Sequence, residues 1–241
     1  MKKQIVILGL MSSIVLNYAF AGVSLDRTRV IYVGGTKSMT INIHNNSDKL
    51  PFLAQAWLED SNGHKISSPF IVLPPIQRLE PNMDSLVKIQ ALANVDTLPK
   101  DRESLFYFNL REIPPRNEKP NTLQLALQSR IKFFYRPQAL IDRSLLKKKP
   151  WQEEVTLHKI REGYELHNPT PYYVTFTSLA IGERKNKVDS FEPVMVSPYG
   201  VHYFNTIHGK NKFLLLTYIN DFGGSQTLKF KCDDVDCKLV N

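Results

Sequence analysis

Six histidines, His44, His64, His158, His167, His202 and His208, are the residues best suited to catalysis or metal binding, yet no two stand in His-Glu-x-x-His spacing. The paired imidazoles and general base of a zinc hydrolase are therefore missing. No Gly-x-Ser-x-Gly elbow presents a serine nucleophile. Gly34-Gly35-Thr36-Lys37 has the residue types of a phosphate loop, but it lacks the four-residue spacer and the following helix pattern, and a hairpin turn accounts for it. Cys232 and Cys237 bracket Asp233, Asp234 and Asp236. Thiolates and carboxylates favour different metals, and no histidine stands near, so the cysteines are expected to form a disulfide that closes the last hairpin. The expectation is no catalytic residue, no metal and no cofactor.

The spacing that suggests work is of another kind. From Leu123 to Pro137 the odd positions Leu123, Leu125, Leu127, Ile131, Phe133 and Tyr135 are apolar, with Ser129 the exception, and the even positions, with Gln124, Gln128, Arg130, Lys132 and Arg136, are mostly polar. That alternation is the period of a β-strand. Most strands have about 5 or 6 residues, so this one is long, and Pro120 and Pro137 bracket it where neither interrupts a ladder. Two readings stay open from periodicity alone. Either the leucines fill the protein's own core, or they line an edge that invites a foreign strand to dock.

The elements that would hold this strand can be read along the chain. Met1 to Ala21 has Lys2 and Lys3, an apolar run from Ile5 to Leu16, and Ala19-Phe20-Ala21, the pattern of a secretory leader cleaved before Gly22. The apolar run is shorter than the roughly 20 residues a membrane span needs, and no stable membrane insertion is expected. Loss of 21 of the 241 residues leaves 220, and loss of the two lysines takes the formal charge from +8 to +6. This modest excess is no argument for a nucleic-acid partner.

Strand patterns recur at Val23 to Val33, Ser38 to His44, Leu53 to Glu59, Ile71 to Leu79, Ser85 to Leu92 and Ser104 to Arg111. Pro74-Pro75 suggests a strand that bends or switches sheets, and both faces of Ser104 to Arg111 are apolar, as in a central strand. Asn45-Asn46-Ser47-Asp48 reads as a turn in which side chains bond their own backbone; it also matches an N-glycosylation sequon at chance level. About seven short strands without a useful helical period predict an immunoglobulin-like β-sandwich. The pattern lapses through Asp142-Arg143-Ser144 to Lys147-Lys148-Lys149-Pro150, read as an interdomain link, and seven strand patterns between Thr156 and Phe230 predict a second β-sandwich. The chain is thus all-β: a leader over 1–21, an N-terminal domain over 22–142 and a C-terminal domain over 143–241.

Six motifs, Ser24 to Arg29, Pro75 to Pro81, Asp101 to Asn109, Ile131 to Pro137, Asn168 to Thr175 and Tyr218 to Gly224, resemble in their order the periplasmic pilus-assembly chaperones. The resemblance covers nearly all of the chain beyond the leader. It implies two immunoglobulin-like sandwiches in an L shape, a periplasmic location, and a non-enzymatic chaperone that binds pilin subunits and delivers them to an outer-membrane usher. In that family a chaperone strand completes the pilin's missing strand, the donor-strand mode of peptide recognition. Here Leu123, Leu125 and Leu127 would be the donor residues, Arg29 and Lys132 would bind the pilin's C-terminal carboxylate, and Glu103, Arg136 and Asp221 would form an ionic network between the domains. The short connector before Leu123 resembles the short-loop branch, which serves rod-like pili. The exposed edges also allow self-association of the free protein. An exported adhesin or structural fimbrial subunit is the alternative; it would accept a donor strand rather than supply one.

Overall fold

The computed structural model describes residues 22–116, 123–145, 149–161, 163–182, 186–205, 213–233 and 236–240. The expected leader, the connector residues 117–122 and Lys147-Lys148 lie outside the described residues. The strands of the first half are β1 (Val23–Leu25), β2 (Arg29–Val33), β3 (Ser38–Asn45), β4 (Phe52–Glu59), β5 (Lys65–Ile66), β6 (Phe70–Leu73), β7 (Ile76–Leu79), β8 (Asp84–Ala91), β9 (Ser104–Ile113) and β10 (Gln128–Arg136). They form two sheets. One has the order β1-β3-β8-β6, and the other β2-β10-β9-β4-β5 with β7 also on β4.

One strand expected to be continuous, and one expected to bend or switch, divide between these sheets. Val23 to Val33 becomes β1 in the first sheet and β2 in the second, because the chain breaks at Asp26-Arg27-Thr28, where Asp26 pairs with the Arg27 side chain at 2.7 Å. Pro74-Pro75 likewise separates β6 from β7, as a residue without an N–H donor should. Between the sheets lie Val30, Tyr32, Ile41, Ile43, Leu58, Phe70, Val87, Ile89, Phe108 and Phe133, all buried. Strand alternation then fixes the rest: Val30 and Tyr32 point inward, so Arg29 between them and the turn points to the outer face. Asn45 is fully buried, its Nδ2 donating to the carbonyls of Leu50, Leu79 and Glu80 and its Oδ1 accepting the Ser47 N–H. The expected turn is present, and the sequon nitrogen is committed to the fold.

The second half carries β11 (Thr156–Ile160), β12 (Gly163–His167), β13 (Val174–Ile181), β14 (Asn186–Lys187), β15 (Val194–Val196), β16 (Val201–Asn205), β17 (Phe213–Ile219), β18 (Ser225–Cys232) and β19 (Asp236–Val240). They pair in one path, β14-β13-β17-β18-β19-β11-β12-β16, with β15 on β13. The path closes over itself as a sandwich, so that Leu157 and Leu166 share a core with Val174, Phe176, Leu214, Leu216 and Phe230.

Part of the expected link is helical. Residues Gln138–Leu145 form a helix, α1, which starts directly after Pro137, a residue that sets its own φ and is tolerated at helix starts. Eight residues are too few to show a helical period in the windows that reveal one. The expected domain boundary after Asp142 falls inside α1, whose Leu140 already packs in the second core while Tyr172 Oη donates to its carbonyl at 2.7 Å.

Candidate functional site

The strand read from Leu123 to Pro137 is shorter than expected. Regular pairing starts at Gln128, and Leu123 to Leu127 run outside any strand. They are tethered by the Glu112 N–H on the Leu127 carbonyl at 3.0 Å and by Gln124 Nε2 on the Pro115 carbonyl at 2.6 Å. β9 pairs with β10 from Gln128 to Tyr135, whereas the parallel strand β2 reaches only Lys132 to Arg136. Below Lys132 the other edge of β10 has no partner strand among the described residues. Phe133 and Tyr135 are buried and Ile131 packs against the same core, but Leu123, Leu125 and Leu127, in the same alternation, are 82, 65 and 49 % exposed. The leucines do not fill the protein's own core.

Arg29 of β2 and Lys132 of β10 are register partners across the parallel pair. Both reach the second domain. Lys132 Nζ donates to Thr175 Oγ1 of β13 at 2.8 Å, and Arg29 Nη1 donates to the Ile219 carbonyl of β17 at 3.3 Å. Arg29 Nε is buried without a hydrogen-bond partner. Among the described residues no carboxylate lies within ion-pair distance of either cation. Burial, and then the Arg29 charge, pull the Lys132 ammonium down to about 8, and burial also lowers Arg29 against the more distant pull of Asp221 and Glu103. Two half-buried like charges with a spare donor have the chemistry to take an anion, since a carboxylate offers each a charge-assisted bond that the present acceptors, a hydroxyl and a carbonyl, do not.

Arg136, four residues along β10 on the same face, is matched instead. Its Nε bonds Glu103 at 2.7 Å, and its Nη1 and Nη2 grip Asp221 at 2.6 and 3.0 Å. Glu103 also accepts the Tyr173 N–H at 2.8 Å, and the guanidinium lies over the Tyr172 ring at 4.8 Å. Burial pushes the Glu103 carboxyl up to about 7 against the pull of Arg136, while for Arg136 the bonds and charge of Asp221 and Glu103 outweigh burial and hold its proton more tightly. Arg136 therefore touches both other expected network residues, and it ties Glu103, just before β9, and the end of β10 to the Asp221 loop of the other domain. Cys232 and Cys237 are register partners on β18 and β19 and are bonded; both are buried in the second core and take no part in the junction.

Sequence reasoning did not assign Thr175, Ile219 or Thr28 a place here. The first two contribute a hydroxyl and a main-chain carbonyl, and neither is distinctive in a sequence. No group of His, Cys, Asp and Glu among the described residues is arranged to hold a metal ion, and no helix among them is long and apolar enough to cross a membrane.

Comparison with known proteins gives the same picture across the chain. Residues 22–141 match the family model "Pili and flagellar-assembly chaperone, PapD N-terminal domain", and residues 150–230 match "Pili assembly chaperone PapD, C-terminal domain". The chain is 47 % identical to the chaperone protein PapD of Escherichia coli, over 93 % of this chain and 92 % of that one. It is 44 % identical to the chaperone protein PmfD of Proteus mirabilis, over 93 and 89 %. Among solved structures it resembles the periplasmic chaperone SfaE, with a TM-score of 0.68 and 36 % identity over 86 % of this chain and 98 % of that one. It also resembles a Salmonella enterica structure of the SafA pilin in complex with the SafB chaperone, with a TM-score of 0.73 and 27 % identity over 90 and 99 %. With both family models matched in order on the two sandwiches, the chain belongs to the PapD family of pili assembly chaperones.

Proposed function

We propose that this protein is a periplasmic chaperone of the chaperone-usher pathway, which holds pilin subunits by donor-strand complementation until an outer-membrane usher takes them. One observation carries the reading. The apolar face of β10 continues from Ile131, in contact with the core, to Leu123, Leu125 and Leu127, which stand in solvent beside an unpaired edge. Apolar side chains next to free backbone donors and acceptors are what a subunit lacking a strand requires. Alternate residues of an extended segment lie about 6.6 Å apart, so the leucines can enter successive pockets, each contributing roughly 1.5 to 3 kcal/mol when fully buried. Arg29 and Lys132 would fix the register by holding the pilin's terminal carboxylate, since a slip of one residue swaps the two faces. The work needs binding and release, with no bond made or broken, and family membership supports a non-enzymatic role. The periplasmic location rests on the expected leader and on likeness to a chaperone described as periplasmic.

The test is copurification from periplasm with mass spectrometry of bound proteins and N-terminal sequencing of the chaperone. A pilin subunit should be retained and the chaperone should begin at Gly22. Recovery with Met1 at the N-terminus would refute export by cleavage, and a folded chaperone that never retains a pilin in a cell assembling pili would refute the function.

A further inference from the structure

We infer that Phe222 is a second anchor for the bound subunit, receiving an apolar side chain close to the subunit's terminal carboxylate. The inference rests on carboxylate capture by Arg29 and Lys132. Phe222 is 97 % exposed, the most exposed of the large apolar residues among those described, and so contributes almost nothing to the core. Apolar residues scattered singly on a surface are ordinary; what distinguishes this one is a backbone fixed by hydrogen bonds. Asn220 Oδ1 accepts the N–H groups of Phe222 and Gly224 at 3.0 and 2.8 Å, the Asn220 N–H reaches the Gly224 carbonyl at 2.9 Å, and the Gly223 N–H reaches the Asn220 carbonyl at 3.0 Å. Asp221 is gripped by both terminal nitrogens of Arg136.

The loop is also seated against the anion site. Gly223 has φ +84°, and a Cβ there would run into Thr28 Oγ1, one residue from Arg29. Arg29 itself bonds the carbonyl of Ile219 at the loop's base. Ile219, Asp221 and Gly223, which flank Phe222, thus lie against Arg29, Arg136 and Thr28, and these contacts exist before anything binds. A rigid aromatic adds affinity because little ordering remains to be done on binding. The ring has no polar handle, and the nearest acid, Asp221, is engaged with Arg136, so the matching chemistry is aliphatic or aromatic. The side chains we assign to it are those of the last residues before the carboxylate.

The experiment uses the full chain and two synthetic peptides of about ten residues with valine at alternate positions, free to pair along β10. One ends in two apolar residues and a free carboxylate, the other in two serines and a free carboxylate. Affinities are measured for wild type, Phe222→Ala, Phe222→Trp and Arg29→Ala, with thermal melts alongside. Phe222→Ala should melt as wild type, bind the apolar-ended peptide about tenfold more weakly, and bind the serine-ended peptide unchanged; Phe222→Trp should restore the preference. If Phe222→Ala binds both peptides as wild type while Arg29→Ala loses both, the anchor is wrong and carboxylate capture stands. If Arg29→Ala also binds both as wild type, capture is wrong and the anchor falls with it. Equal weakening toward both peptides by Phe222→Ala overturns the anchor as well, because it shows no recognition of the terminal side chains.

Discussion

Arg29 and Lys132 face each other across a parallel strand pair as two half-buried cations with no carboxylate within ion-pair distance among the described residues. Each instead reaches across the domain junction to a neutral acceptor, Ile219 O or Thr175 Oγ1. Charge-assisted hydrogen bonds are worth about 1.5–3 kcal/mol each, so Arg29→Ala or Lys132→Ala should cut retention of pilin at least tenfold while leaving the chaperone folded by circular dichroism. The two losses should not add, because either one releases the same carboxylate and with it the register. A folded double variant that retains pilin at the wild-type level would remove the clamp from the mechanism.

The Lys132 ammonium gives pH two opposite effects. With its pKa drawn from 10.5 to about 8 by burial and then by Arg29, the unfolded chain binds the proton more tightly than the folded one, so the stability of the free protein should rise with pH between about 8 and 10.5. Carboxylate binding needs the charged form and should weaken as pH passes 8. Chemical denaturation and peptide binding measured over that range, with Lys132→Met as control, check both signs. The control should lack both slopes.

The donor leucines should separate binding from folding. Leu125 is 65 % exposed, and exposed substitutions usually change stability by less than about 0.5 kcal/mol. Leu125→Glu should therefore melt as wild type yet fail to retain pilin, since it would carry a charge into an apolar groove. A large drop in melting temperature would show that the leucine serves the chaperone's own core.

At the junction, Arg136→Ala should cost more than Asp221→Asn. Arg136 and Glu103 are buried, and removing the arginine strands the carboxylate, at about 3–5 kcal/mol. Asp221 is partly exposed, and its neutral amide keeps the shape, so the cost should be smaller. Urea unfolding of both variants provides the comparison, and equal, negligible effects would show the network to be dispensable.

Reduction of the Cys232–Cys237 bond should lower stability by about 2 kcal/mol, near the low end for disulfides because the closed loop is short. Free-thiol titration of the unfolded, unreduced protein should find no thiol, and the reduced protein should bind pilin as before, because the bond lies in the second core away from Arg29 and Lys132.

The alternation of single strands was legible in the sequence because it is local: a period of two marks which residues share a face, and it separated an apolar from a largely polar face in the segment that became β10 without knowledge of its neighbours. Pro74-Pro75 announced the switch between sheets because a missing N–H is a property of the residue itself. The six motifs carried the family. What lies on either side of a strand is not local, so the sequence left open whether Leu123, Leu125 and Leu127 were core or edge, and only the short reach of β2 along β10 decided it. Arg29 and Lys132 came from resemblance, and their opposition depends on a pairing of distant strands that no spacing reveals. The same holds for α1, too short to show its period, and for Asp221, whose partner Arg136 lies on another domain. Periodicity is set by the backbone of one segment; partnership is set by the packing of all of them, and the site is made of partnerships.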